Sequence, residues 1–375
     1  MPSLFDPIRL GAIHAPNRIL MAPLTRARAS RDHVPTAIMA EYYAQRASAG
    51  LIISEATGIS REGLGWPHAP GLWSAAQVEG WKPVTAAVHK AGGRIVAQLW
   101  HMGRVVHPDF LDGASPVSSS ATTAPGEAHT YGGRQAYSTA RALRLDEIPR
   151  VIGDYVHAAR NAIAAGFDGV QLHGANGYLI DQFLRDGANL RTDDYGGPIE
   201  NRIRLLREVT AALVETVGAD RVGVRLSPNG DSHGVNDSDP HRLFPAAAKA
   251  LSDLGIAFLE LREPGPGATF GVAEVAPVAP AIRAAFAGPL VLNSDYDGAR
   301  AQAALDAGAA DAIAFGRTFL ANPDLPRRLA RGLPLTPDDM RTWYSQGPEG
   351  YIDYPVADAA GRADSAPDSA EVELA

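Results

Sequence analysis

No cysteine occurs anywhere in the 375 residues, which excludes disulfides, thiolate nucleophiles, iron–sulfur clusters and cysteine zinc sites together. Lysine is nearly as scarce. Only Lys82, Lys90 and Lys249 occur, all in segments that read as surface helices, so no lysine is placed for imine chemistry. Positive charge is in the minority, with 34 Lys plus Arg against 42 Asp plus Glu and a formal net charge of −8. A chain of that sign has no general attraction for nucleic acid or an anionic membrane. No apolar run approaches the roughly 18 residues of a membrane span. The start, Met1-Pro2-Ser3-Leu4-Phe5-Asp6-Pro7, lacks the basic and apolar stretches of a signal peptide. Nucleotide fingerprints (Gly-x-Gly-x-x-Gly, the P-loop) and the hydrolase elbow Gly-x-Ser-x-Gly are missing too. The 11 histidines show no metal-ligand spacing: His101 and His107 fall in one loop, His233 and His241 in another, so no metal site is expected. With 46% hydrophobic and 20% charged residues, the chain has the means for a large packed core. A soluble, cytoplasmic globular protein is expected, with neither nucleic acid nor membrane as partner.

What the sequence does contain is alternation. Short β-rich apolar runs occur at 18–23 (RILMAP), 51–57 (LIISEAT), 94–100 (RIVAQLW), 169–174 (GVQLHG), 222–227 (VGVRLS), 258–263 (FLELRE), 290–295 (LVLNSD) and 312–317 (AIAFGR). Helical patterns lie between them at 75–91, 146–165, 199–217, 240–254, 297–307 and 323–331. Eight β runs interleaved with helices imply a parallel sheet, and eight is the number that closes a barrel. A doubly wound sheet is the rival, but it lacks its nucleotide fingerprint here. The fold class is therefore α/β, a single (β/α)8 barrel over residues 1–355.

Within the strands, period-two alternation separates two faces. Val222, Val224 and Leu226 oppose Gly223, Arg225 and Ser227; Val170 and Leu172 oppose Gln171 and His173. The aliphatic face suits surrounding helices. The other turns polar toward the C-terminal strand ends, where barrel active sites are built. Residues 101–145 are far too long for a plain loop, and Tyr131-Gly132-Gly133 marks a hairpin, so a lid insertion after the third strand is expected. Residues 356–375 read as an acidic, disordered tail.

Chemistry-bearing residues gather at strand ends. His173, Asn176 and Tyr178 lie within six residues after the fourth strand, two hydrogen-bond donors and one phenolic proton source. The same residues also suit an ordinary turn, since Asn-Gly is a common turn dipeptide. Thr25, Gln98, Trp100 and Arg225 close other strands; an inward Arg225 needs an anionic ligand or a structural ion pair. Gly316-Arg317 and Asn293-Ser294-Asp295 occupy the place where barrels commonly bind phosphate, or else form plain turns.

These stretches carry a resemblance. Segments 18–26 (RILMAPLTR), 53–57 (ISEAT), 97–104 (AQLWHMGR), 166–181 (GFDGVQLHGANGYLID), 193–202 (DDYGGPIENR), 312–323 and 350–355 (GYIDYP) occur in an order that resembles the Old Yellow Enzyme family of FMN-dependent ene-reductases. The resemblance implies an FMN barrel and an NAD(P)H-dependent enzyme reducing activated alkenes, as a monomer or homodimer. It implies that Pro23, Leu24, Thr25, Ala56, Gln98 and Arg225 line the flavin ring, Arg225 stabilising the negative charge that reduction leaves near N1. It further implies that Asn293, Ser294, Asp295, Gly316 and Arg317 hold the phosphate. His173 and Asn176 would clamp the substrate oxygen and Tyr178 would donate the proton, with Trp66, Trp100, Trp343 and Tyr344 shaping the pocket. Thr25 stands where another branch has cysteine, and the Gly65-Trp66-Pro67 segment resembles the classical branch. Three other readings stay open: a nitrate-ester or nitroaromatic reductase using the same site, a flavin-binding redox module without turnover, and a cofactor-free isomerase.

Overall fold

The structure, a computed structural model, describes residues 1–265, 268–269 and 271–357. Beyond residue 357, the tail expected from the sequence lies outside the described residues. Eight parallel strands run in chain order: β1 (Ile19–Met21), β2 (Ile52–Ile53), β3 (Ile95–Trp100), β4 (Gly169–Gly174), β5 (Val222–Leu226), β6 (Phe258–Arg262), β7 (Leu290–Asn293) and β8 (Ala312–Phe315). Each pairs with the next, and β8 pairs back onto β1 with Ala314 opposite Leu20, which closes the barrel. Around it lie α1 (Ala37–Gln45), α2 (Ala75–Lys90), α3 (Ile148–Ala164), α4 (Arg204–Val217), α5 (Pro240–Asp253), α6 (Ala279–Ala285), α7 (Gly298–Asp306) and α8 (Leu325–Arg331). The (β/α)8 expectation holds.

The helices form for readable reasons. α2 starts on a capping box, Ser74 accepting from the Gln77 amide while the Gln77 side chain reaches back. α3 buries Val151, Tyr155, Ala158, Ala159 and Ala162, a single face at helical spacing. α5 begins with Pro240 behind the Asp239 cap. Two expectations need adjusting. The second strand is interrupted after Ile53, where the Ser54 hydroxyl rather than a backbone carbonyl receives the Gln98 amide, and its pairing with β3 resumes at Thr57–Gly58. The helix expected at 199–217 is interrupted at Ile203, giving Ile199–Arg202 and then α4.

Two apolar layers follow from the alternation. Outward residues such as Val170, Val224 and Leu261 pack against the helices. Inward Leu20, Ile53, Val96 and Val291 form a second cluster with Leu10 and Ile13 of an N-terminal hairpin, Ile8–Leu10 with Ile13–Ala15, which closes the barrel's lower end. Gly223 is required there: a Cβ would come within 2.4 Å of the Phe258 ring. At the opposite end the 101–145 insertion does carry a hairpin, Glu127–Thr130 with Gly133–Ala136. Its His129 ring lies 4.7 Å from Trp66 and 6.3 Å from Tyr344, over the mouth. The lysines are exposed on α2 and α5, as expected. Among the described residues no helix is long and apolar enough to cross a membrane.

Candidate active site

The turn after β4 is built to throw three side chains together. Asn176 takes a left-handed conformation, φ 57°, which asparagine tolerates. Gly177 follows at φ 75°, and a Cβ there would stand 2.2 Å from the Ser232 carbonyl oxygen. The Asn176 amide donates to the Ser227 hydroxyl at 2.8 Å, and the Gly177 amide to the buried Asp181 carboxylate at 2.9 Å. Asp181 is paired with buried Arg185, whose remaining donors go to the Ser227 and Gly230 carbonyls. A buried ion pair therefore holds the turn in place.

The result is a defined set of proton positions. His173 Nδ1 accepts the Ala175 amide at 3.3 Å, so in the neutral ring Nε2 carries the hydrogen. Burial, with Arg225 and Arg262 nearby, holds that imidazole well below its ordinary range, so it is neutral at pH 7. Asn176 Oδ1 accepts from Arg262 at 3.4 Å, which leaves its amide N–H groups to donate elsewhere. The Tyr178 ring lies 5.0 Å from Trp100 and 5.4 Å from His233, and burial pushes its phenol up, so it stays protonated. Two neutral donors and one proton source share a wall.

A second feature crosses the barrel interior. The Gln98 amide donates to Gln171 at 2.8 Å, and Gln171 donates to Glu260 at 2.7 Å. Arg225 Nε donates to the other Glu260 oxygen at 3.0 Å and its Nη2 to Asn293 at 2.7 Å. Asn293 in turn donates to the Ala314 carbonyl at 2.7 Å. Arg225 thus has its ion pair, and it also reaches the pocket.

That pocket, of about 500 Å³, opens at the C-terminal strand ends. Pro23, Leu24 and Thr25 form one side, in the segment after β1 rather than within it. Arg225, Asn293, Ser294, Asp295, Gly316 and Arg317 form the polar floor, with Ser294 and Asp295 both at positive φ. Asn176 and Tyr178 face it with Trp66, Trp343 and Tyr344. His173, Ala56, Gln98 and Trp100 are buried behind this lining; Trp100 backs the Tyr178 and His173 rings. Arg28 secures the aromatic wall: it donates to the Thr342, Trp343 and Glu349 carbonyls and to Ser345. Glu55 secures the segment that leads into Arg28, its buried carboxylate accepting the Arg26 and Ala27 amides at 3.1 and 3.2 Å.

Sequence reasoning missed Glu260, Arg262, His233 and the Asp181–Arg185 pair. The alternation rule could have found the first two, since Glu260 and Arg262 fall on the inward phase of β6. His233 arrives by long-range packing, and Asp181–Arg185 is a local i,i+4 pair whose burial is set by distant segments. Among the described residues, four arginines, Arg26, Arg225, Arg262 and Arg317, line the pocket against one carboxylate, Asp295. In a chain of net charge −8 that is a local excess of positive charge, and it fits a phosphorylated cofactor that gains negative charge on reduction, such as FMN.

Residues 3–336 match the NADH:flavin oxidoreductase / NADH oxidase family. The fold superposes on an Old Yellow Enzyme homologue from Zymomonas mobilis with TM-score 0.93 and 64% identity, covering 94% of this chain and 99% of that one. Morphinone reductase in complex with tetrahydroNAD gives TM-score 0.91 and 46% identity, over 96% and 99% of the two chains. 12-Oxophytodienoate reductase 1 of Oryza sativa subsp. japonica is 44% identical over 357 residues, 94% of this chain and 92% of that protein. The barrel, its arginine-lined pocket and these likenesses agree, and the chain belongs to the NADH:flavin oxidoreductase / NADH oxidase family, in its Old Yellow Enzyme group.

Proposed function

We propose that this protein is an FMN-dependent, NAD(P)H-driven reductase of activated C=C bonds in enones, enals and nitroalkenes. The observation that carries the reading is that Asn176 and the protonated Tyr178 phenol line an arginine-rich pocket, with the neutral His173 ring edge-on to Tyr178 just behind them. Pro23, Leu24, Thr25, Ala56, Gln98 and Arg225 would hold the flavin ring, and Asn293, Ser294, Asp295, Gly316 and Arg317 its phosphate. Bound FMN, once reduced by NAD(P)H, supplies the hydride. The His173 Nε2–H and the Asn176 amide bind the carbonyl or nitro oxygen and draw electron density from the conjugated double bond. Preformed donors of this kind are worth about 10²–10³-fold each in rate. Tyr178 delivers its proton to the α-carbon. Trp66, Trp343 and Tyr344 enclose the substrate, and Trp100 keeps Tyr178 in place.

The reading includes a cytoplasmic location, either NADPH or NADH as reductant, and a monomer or homodimer. Anaerobic reduction of the FMN-loaded protein by each nicotinamide, followed by 2-cyclohexenone and by a nitrate ester, tests it. Higher kcat/KM with the enone supports it; oxidation by the nitrate ester alone would replace it with a nitro-compound reductase. NAD(P)H consumption that needs molecular oxygen and ignores both would overturn it.

A further inference from the structure

We propose that Glu260 is a positioning residue that sets the charge and the donor–acceptor sense of the polar layer on which the flavin site rests. The carboxylate is completely buried, and each of its oxygens is engaged, one by Gln171 and one by Arg225. Nothing in the expected site requires an anion at the centre of a barrel, where an unpaired one would be severely penalised. Its presence therefore has to be explained by what it does to its neighbours.

The first effect is on hydrogen-bond direction. An ionised carboxylate can only accept. Gln171 must therefore turn its NH₂ toward Glu260, which turns its carbonyl toward Gln98. Gln98 must then present its own NH₂ to Gln171, and its carbonyl oxygen is the part not committed to the layer. On the other side the carboxylate takes the Nε edge of Arg225, so Nη2 swings to Asn293 Oδ1 and the Asn293 NH₂ goes to the Ala314 carbonyl. One anion thus fixes the orientation of three side-chain amides and a guanidinium, across β3 to β8.

The second effect is on charge. Glu260 and Arg225 stand 3.0 Å apart, so the positive charge that Arg225 contributes to the pocket is partly cancelled from within the barrel. Reduction of a flavin adds negative charge, and a compensated guanidinium stabilises it less than a bare one. Glu260 accordingly holds the flavin's potential down and favours hydride release over hydride retention.

The inference rests on the flavin reading above, and potentiometry of FMN-loaded protein against a reference dye separates the two. Glu260→Gln keeps the shape and removes the charge; its two-electron equilibrium should move toward reduced flavin about tenfold, an upward shift of about 30 mV. Arg225→Met, which leaves the anion unpaired, should move the potential down. The charge-matched double variant R225M/E260Q removes the pair together and should return close to the wild-type value. An FMN-loaded E260Q with an unchanged or lower potential overturns the inference alone. If E260Q takes up no FMN, the decision passes to the other two, and a double variant no higher than R225M overturns it. A wild-type chain that takes up no FMN overturns the functional reading and this inference with it.

Discussion

The Tyr178 ring meets His173 edge-on, with centroids 4.9 Å apart and planes at 87°. The two cannot exchange roles. His173 is held neutral with its one N–H on Nε2, while Tyr178 keeps a proton that burial makes harder to lose as a free ion. On the proposed function, orientation of substrate and delivery of a proton would fall to neighbouring rings, and each should fail in its own way.

Tyr178→Phe preserves the edge contact and removes the proton. FMN uptake and its reduction by NAD(P)H should be unchanged, because direct hydride transfer needs no phenol. Reoxidation by 2-cyclohexenone should slow by roughly 10²–10⁴-fold, the loss typical of one general acid. Stopped-flow measurement of both halves checks this. Equal slowing of the two halves would move the proton donor elsewhere.

His173 gives a pH prediction. Its imidazole is pushed well below the ordinary range by burial first and by Arg225 second, so it binds no proton between pH 6 and 8. The enone KM should then be flat across that window. An inflection near 6.5 that disappears in His173→Asn would show a charged clamp instead of a neutral one.

Glu55 gives a stability prediction of definite sign. Burial pushes its carboxyl from the ordinary 4.5 up to about 7, although the Arg26 and Ala27 amides draw it down. Between those values the folded protein holds a proton that the unfolded chain has released. The contribution is fully present below about 4.5 and is lost as pH rises through 7. Wild-type stability should fall by roughly 1 kcal/mol per pH unit across much of that interval. Glu55→Gln cannot titrate and should lose less between pH 5 and 8 in denaturant unfolding. Parallel losses in the two proteins would disprove the assignment.

The legible parts of this molecule are those set by local rules. Strand β4 matches the expected 169–174 at both ends, because Val170 and Leu172 alternate with Gln171 and His173 and glycines bound the run. The turn behind it was visible as His173, Asn176 and Tyr178. Helix α1 escaped notice because its buried aromatics, Tyr42 and Tyr43, are adjacent rather than one turn apart. Glu260 escaped because a charged residue in a strand reads as an edge or a defect until its partners are known, and Gln171 and Arg225 lie 89 and 35 positions away. Asp181 and Arg185 escaped because their i,i+4 spacing does not reveal that the pair is buried.

Gly177→Ala tests whether the turn itself, rather than any one side chain, assembles the site. The added methyl would lie 2.2 Å from a backbone oxygen, Ser232, at a φ of 75° that alanine rarely adopts. The Ser232 carbonyl and the His233 Cβ at 3.2 Å are not flexible side-chain tips, so the backbone must move, at a cost of about 1–3 kcal/mol for the dihedral alone. Asn176 and Tyr178 flank the position directly, whereas the expected flavin-holding residues sit on other strands. FMN uptake and NAD(P)H-driven reduction should therefore persist. Enone binding and enone reoxidation should weaken together, because the clamp and the proton donor are displaced as a unit. Tyr178→Phe should differ, leaving the enone Kd of the oxidised protein intact while slowing the chemistry. A Gly177→Ala protein that binds enone normally and loses only rate would show that the turn tolerates the methyl, and that Tyr178 alone is sensitive to it.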